Sequence, residues 1–165
     1  MDDPTALDYW TLAIAVLGAL TGLAALGAQV WSFVLSGPRV RVGLTRAVLG
    51  SDGSEWLSVE SANIGRLPVT VVDVGATFRV GRKRWNVPFI GLPHGASIGR
   101  ELAHRLPDAE SETWLLRPAN VAAVAAKNGA PRDARIRGYV RLATGRTLRS
   151  RRRNAPRLVE LAQRD

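Results

Sequence analysis

Residues 61–75 read SANIGRLPVTVVDVG, and the segment sets Asn63, Gly65 and Pro68 between two stretches that alternate apolar and polar residues. Strict alternation over several residues is the pattern of a half-buried strand. Asn and Gly tolerate positive φ, and Pro cannot donate to a strand ladder, so Asn-x-Gly-Arg-x-Pro reads as the bend between two strands. A ligand loop would bring further converging charged or aromatic groups, and only Arg66 is close by in sequence. The bend is therefore preferred to a binding loop.

Outward from this bend the texture repeats. Upstream, Arg39 to Leu44 alternates with period two, as does Trp56 to Asn63, and Gly50-Ser51-Asp52-Gly53-Ser54 between them has turn composition. Downstream, Val69 to Val80 alternates throughout, with Val69, Val71, Asp73, Gly75 and Thr77 expected on one side and Thr70, Val72, Val74, Ala76 and Phe78 on the other. Arg82-Lys83-Arg84 tips a short hairpin into Trp85 and Val87, Thr113 to Leu116 is a further strand, and Ile136 to Leu142 pairs with Thr147 to Arg151 across Ala143-Thr144-Gly145-Arg146. About seven strands at this spacing predict an antiparallel sandwich. One short helix interrupts them, from Pro118 to a stop at Asn128-Gly129, with Val121, Val124 and Ala125 as its apolar face. The stretch Arg157 to Ala162 forms a helical turn or two that docks on a partner or frays.

Before the strands lies a different texture. Tyr9 to Pro38 carries no charge, and its apolar centre runs from Leu12 to Leu35. As a helix rising ~1.5 Å per residue, that centre exceeds the ~30 Å hydrocarbon core of a bilayer. Tyr9 and Trp10 at one end, with Trp31 and Phe33 near the other, suit the headgroup boundaries. The rival is a cleaved signal peptide, for which Ala25-Leu26-Gly27-Ala28 supplies small residues. Asp2, Asp3 and Asp8 replace the basic leading segment of such a peptide, and the apolar run is long for one. A membrane span is the preferred reading. Arg39, Arg41 and Arg46 on its C-terminal flank place that side in the cytoplasm by the positive-inside rule, with the N-terminus outside and the inner membrane as the location. Ala15, Gly18, Ala19, Gly22, Ala25 and Gln29 recur at three- and four-residue steps, which puts them on one helix face suited to close helix association. An Ala/Gly-rich composition produces the same pattern by chance.

The expected organisation is a short acidic tail (1–10), a transmembrane helix (11–36), a β-sandwich (37–153) and a C-terminal tail (154–165). The chain has 23 Lys+Arg against 14 Asp+Glu and a formal charge of +9. Asp2, Asp3 and Asp8 precede the apolar run, leaving 23 basic and 11 acidic residues, +12, after it. Only Lys83 and Lys127 are lysine, an Arg bias that a GC-rich coding sequence produces without any selection for recognition. With no cysteine, disulfides, thiol nucleophiles and thiolate metal sites are excluded.

Three stretches, SVESANIGRLPVTVVDVG, HRLPDAESETWLLRPANVAAV and IRGYVRLATGRTLRS, follow one another in an order that resembles a group of small bacterial proteins. Those proteins carry an immunoglobulin-like β-sandwich behind an N-terminal membrane helix. Asn63, Gly65, Arg66 and Pro68 match the first turn of that pattern, Glu110, Ser111 and Trp114 the second, and Thr144, Gly145 and Arg146 the terminal hairpin. Ala109 stands where the pattern often has Gly. The resemblance covers roughly residues 39–153 and implies an immunoglobulin-like fold, with no activity attached to it.

Catalytic patterns are not found in the sequence. His94 and His104 lie ten apart without an acidic partner at metal-ligand spacing, and read as structural. Ser97 lacks a nucleophile elbow, Glu110 and Glu112 read as solvated strand carboxylates, and Gly95-Ala96-Ser97-Ile98-Gly99 lacks the lysine of a phosphate loop. No enzyme and no cofactor are expected. The basic clusters are the remaining feature. Arg39, Arg41, Arg82, Lys83, Arg84, Arg151, Arg152 and Arg153, with Arg149, could gather on one face toward an anionic membrane surface; Trp85 beside them could stack a base of a nucleic acid; or they could be solvated strand faces. Solvation is preferred to membrane lipid, and lipid to nucleic acid. The leading expectation is a single-span membrane protein whose cytosolic sandwich is an interaction module with an accessory or scaffold role. A protein partner or a second copy would associate through the membrane helix. The alternative is an exported adhesion or ligand-binding domain.

Overall fold

A computed structural model describes residues 5–37, 39–50, 53–91, 95 and 97–162. The chain divides into two compact units, Met1–Gly37 and Pro38–Asp165.

The first unit is helix α1, Ala6–Ser36. Its segment Tyr9–Phe33 has 25 residues, mean hydropathy 2.0 and no side chains buried. At ~1.5 Å per residue it extends about 37 Å, long and apolar enough to cross a bilayer. The hydroxyls of Thr11 and Thr21 donate to the carbonyls of Leu7 and Leu17, each one turn back, so both polar groups are satisfied within the helix.

The second unit is mainly β. Its strands are β1 (Val40–Leu49), β2 (Ser54–Asn63), β3 (Val69–Val80), β4 (Lys83–Pro88), β5 (Ser97–Ile98), β6 (His104–Leu106), β7 (Ser111–Leu116), β8 (Arg137–Leu142) and β9 (Thr147–Arg149). They form two antiparallel sheets, ordered β1-β2-β7-β5 and β4-β3-β8-β9. Strand β6 pairs with β3 through Val69 to Val71, while β4 pairs through Gly75 to Val80. Val71 is also paired to Leu142 of β8, so β6 prolongs the edge that β4 occupies.

The sheets share one core. Val42, Leu44, Leu57, Val59, Trp114 and Leu116 of the first meet Val71, Val74, Ala76, Phe78 and Val140 of the second. Burying large aliphatic and aromatic groups contributes about 1.5–3 kcal/mol each, which makes this layer the main stabilising element. The sheets approach closely at Gly138, where an added Cβ would lie 3.1 Å from the Gly43 carbonyl and 3.3 Å from Val59.

The bend between β2 and β3 carries the chain from one sheet to the other. Neither Asn63 nor Gly65 has positive φ, contrary to the expectation from residue type. The side chain of Asn63 makes the bend instead. Buried at the end of β2, its Nδ2 donates to the carbonyls of Leu67 (2.9 Å), Pro107 (2.8 Å) and Leu106 (3.3 Å), and its Oδ1 accepts from the Gly65 amide (3.1 Å). One amide group thus closes the turn and ties it to the β6–β7 connection.

Strand β3 spans the expected residues, but not with one inward face. Its register shifts between Val71 and Asp73. Val69 and Val71 are buried before the shift, and Val74, Ala76 and Phe78 after it. The extra residue of a bulge exchanges the two faces, which residue alternation alone does not reveal.

Two short helices complete the unit. Helix α2 (Pro118–Lys127) buries Val121 and Ala125, with Val124 packed against the core from a half-buried position, and ends at Asn128 before Gly129. Helix α3 (Leu158–Ala162) is no free tail, in contrast to the fraying or partner-docking segment expected there. Leu158 and Leu161 enter the core, and the amides of Leu158 and Val159 donate to the carbonyls of Ala134 and Arg132, both at 2.8 Å. The turn at 50–54 falls partly on residues 51 and 52, outside the described residues.

Candidate functional site

Paired residues of adjacent strands point to the same side of a sheet. In the second sheet Arg79 pairs with Arg84, Thr77 with both Asn86 and Arg137, and Tyr139 with Arg149. The inward side is occupied by Val74, Ala76 and Phe78, so Arg79, Arg84, Arg137 and Arg149 share the outward face. The two-residue turn at Gly81 and Arg82, with Gly81 at φ 58, sets the β3–β4 register that brings Arg79 opposite Arg84.

Three more arginines converge from beyond the strand ends. Arg135 and Arg157 form an isolated antiparallel bridge, and Arg152 opens the 3-10 turn Arg152–Asn154. Together the seven line a groove of about 710 Å³, completed by Phe78, Pro131, Ala134 and Asp133 among others. Asp133 is the one carboxylate of the lining among the described residues, and none of the seven arginines is ion-paired to a described carboxylate.

Two of the guanidinium groups are held by carbonyls. Arg137 donates through Nε (2.7 Å) and Nη2 to the Ser150 carbonyl, and Arg135 donates through Nη1 to the Arg152 carbonyl at 3.0 Å. Ser150 is itself fixed, its amide donating to the Gly138 carbonyl at 2.8 Å and its hydroxyl accepting from the Gly138 amide at 3.0 Å. Arg149 Nε is buried without a hydrogen-bond partner. Repulsion lowers the pKa of Arg84, chiefly through Arg149, with partial burial, Arg79 and Arg137 adding to it. Burial lowers that of Arg137 first, followed by Arg149, Arg152 and Arg79. The groove is a concentration of positive charge that the described residues leave largely uncompensated.

The eight basic residues expected on one face are distributed differently. Arg84 and Arg152 lie in the groove. Arg41 and Arg151 share a second, smaller cleft of about 390 Å³ with Glu60. Arg82 occupies the β3–β4 turn, while Lys83 pairs with Val80 and so lies on the side of Phe78. Arg39 and Arg153 line neither cleft; the Arg39 carbonyl accepts from the amides of Ile64 (2.8 Å) and Gly65 (3.2 Å). Trp85 pairs with Phe78, on the side of the sheet away from Arg84, and is 40% exposed. Alternation separates it from the arginine face, so it is no stacking platform for that face.

Arg79, Arg135, Arg137 and Arg157 were not singled out from sequence. Each is isolated between apolar or small residues rather than part of a run. The available signal was arithmetic: a two-residue turn at 81–82 places residue 79 opposite residue 84, and Arg135 and Arg137 stand two apart on a strand approach.

On α1, Ala15, Gly18, Ala19, Gly22, Ala25 and Gln29 are exposed along one helix face, and an added Cβ at Gly18 or Gly22 would meet nothing within 4 Å.

His104 has an acidic neighbour that sequence spacing did not reveal. Its Nε2 lies 3.8 Å from Glu112 Oε2, which also pairs with Arg100 Nε at 3.2 Å, and its ring meets Trp114 edge to face with centroids 6.5 Å apart. Glu112 is thus engaged rather than freely solvated. His94 lies outside the described residues. No group of three or more metal-binding side chains occurs among the described residues. No protein-family model and no curated protein matches the chain.

Proposed function

We propose that this is a single-span, inner-membrane protein whose C-terminal domain is an immunoglobulin-like interaction module on the cytoplasmic side, acting without catalysis as an accessory or scaffold subunit of a membrane complex. The carrying observation is the strand order. Lettered in chain order, with β6 as an addition between D and E, the strands give A-B-E-D in one sheet and C′-C-F-G in the other. This order is compatible with an immunoglobulin arrangement that has a C′ edge strand, and it supports the reading. The turn residues behind the bacterial resemblance lie at its joints: Asn63 at the B–C crossing, Glu110 before strand E, and Gly145 (φ 81) in the F–G hairpin. Such a sandwich presents loops and sheet faces to partners from a rigid frame. Arg39, Arg41 and Arg46 immediately after the apolar helix support the cytoplasmic placement.

Two measurements test this reading. A C-terminal reporter active only outside the cytoplasm should be silent on the full chain; activity would reverse the orientation and favour an exported binding domain. Purification in mild detergent should recover a stoichiometric partner or a homodimer, and recovery of monomer alone would count against the scaffold role.

A further inference from the structure

We propose that the arginine groove on the outward face of β4-β3-β8-β9 is a binding site for a small ligand bearing two or more clustered phosphate groups. The site stands on the geometry of the second unit and is independent of the membrane orientation proposed above.

Charge is the first argument. Seven arginines face one aspartate in the lining, an excess of six positive charges that a monocarboxylate would barely offset. Several phosphates on a compact scaffold supply that charge in a small volume. Guanidinium groups match phosphate oxygens as planar, two-pronged donors, and such charge-assisted bonds are about twice as strong as neutral ones. Volume is the second argument. About 710 Å³ lies within the ~300–1,000 Å³ range of small-molecule sites, a better fit for a compact anion than for an extended acidic chain.

Donor direction is the third. Arg137 spends its Nε and one Nη2 hydrogen on the Ser150 carbonyl, leaving three of the five N–H groups of a guanidinium. Arg135 spends one, on the Arg152 carbonyl. These bonds orient the Arg137 guanidinium and tether that of Arg135 before a ligand arrives, which reduces the entropy lost on binding. Arg149 Nε is buried and unpaired, and buried donors are nearly always satisfied. Mutual repulsion of Arg84, Arg149 and Arg79 is a cost that a bound anion would relieve. The lining also argues against single-stranded nucleic acid: its one aromatic residue among those described, Phe78, is 2% exposed and offers no ring for stacking.

The test uses the full chain in neutral detergent, with inorganic tripolyphosphate as the probe and calorimetry and thermal unfolding as readouts at constant ionic strength. Saturable binding and a raised Tm are expected. Arg84→Gln and Arg79→Gln should each weaken binding about tenfold, the scale of one lost charge-assisted bond, while the unliganded Tm stays level or rises because repulsion is reduced. Both side chains are exposed, so either variant serves should the other fail to fold. Arg66→Gln, outside the groove, should bind as the parent does. Absence of saturable binding overturns the proposal, as does an equal loss with Arg66→Gln. Tighter binding of an oligothymidylate or a polyglutamate that displaces the probe would also overturn it, in favour of nucleic acid or an acidic protein. Nanodiscs separate the sources of phosphate. Weaker apparent probe binding in phosphatidylcholine discs containing a phosphatidylinositol bisphosphate than in phosphatidylcholine alone assigns the groove to a lipid headgroup, and equal binding assigns it to a free phosphate ester.

Discussion

Arg79 on β3 and Arg84 on β4 stand directly opposite each other across the hairpin, two like charges in a pairing where opposite charges would attract. Arg149 and Arg137 add to the repulsion felt by Arg84. Arg84→Glu should convert the pair into an attractive one and stabilise the domain by about 0.2–1 kcal/mol, the scale of a cross-strand charge pair. Thermal unfolding at low ionic strength should show the gain, and added salt should reduce it because screening acts on exposed charges. A lower Tm at low salt would mean that the groove is not governed by repulsion.

Asn63 divides the bend reading from the ligand-loop reading. Its side chain holds three carbonyls and one amide while being 1% exposed. Asn63→Ala should cost about 2–3 kcal/mol, because buried groups lose their partner without gaining water. Arg66→Ala, on the exposed part of the same bend, should change stability by less than about 0.5 kcal/mol. Denaturant titration of both variants measures the contrast, and equal effects would sink the structural account of the bend.

Much of this architecture is legible in the sequence for local reasons. The β3–β4 and β8–β9 hairpins follow from short turns between alternating runs, and α2 from Pro118 at its start and Asn128-Gly129 at its end. The apolar run of α1 follows from hydropathy alone. Non-local information is what failed to show. The bulge after Val71 reverses the faces of β3, and only the pairing with β8 reveals it. The groove draws on β3, β4, β8, β9 and the segments around Arg135, Arg152 and Arg157, so no window of sequence contains it. The written cluster Arg82-Lys83-Arg84 misled for a simple reason: neighbours in a strand point to opposite sides.

Ala109 is the only described non-glycine residue at positive φ, 56°. An L-residue in the left-handed region is strained by its Cβ, at roughly 1–2 kcal/mol. Ala109→Gly removes that strain and loosens the unfolded chain, so a net gain of about 0.5–1 kcal/mol is expected. Denaturant midpoints compare the two proteins directly. A destabilised glycine variant would show that the surrounding turn imposes no strain on Ala109.

Gly18 and Gly22 lie one turn apart on α1, with open space where their side chains would be. If the proposed association runs along this face, Gly18→Leu with Gly22→Leu should weaken self-association in a membrane two-hybrid assay by separating the backbones. Insertion should be unaffected, since leucine is more apolar than glycine. Unchanged association would assign the pattern to composition.

Tyr139 gives the domain an alkaline limit. Its hydroxyl donates to Asp73 Oδ2 at 3.1 Å, which Arg141 Nη2 approaches at 3.4 Å from a more exposed position. Burial raises the phenol pKa above its ordinary value near 10, with the Asp73 charge and hydrogen bond adding to the rise and Arg141 opposing it. The folded state therefore keeps the proton that the unfolded state releases. The stability this difference confers is fully present below about pH 10 and is lost as pH rises from there toward the higher folded value. Tyr139→Phe should lower stability at neutral pH by about 0.5–1.5 kcal/mol through the lost hydrogen bond. It should also flatten the alkaline decline, because phenylalanine has no proton to lose. Urea unfolding of both proteins between about pH 8 and about pH 11.5 follows the two curves, which should converge as the pH rises. Parallel curves across that range would show that Tyr139 does not govern the alkaline response.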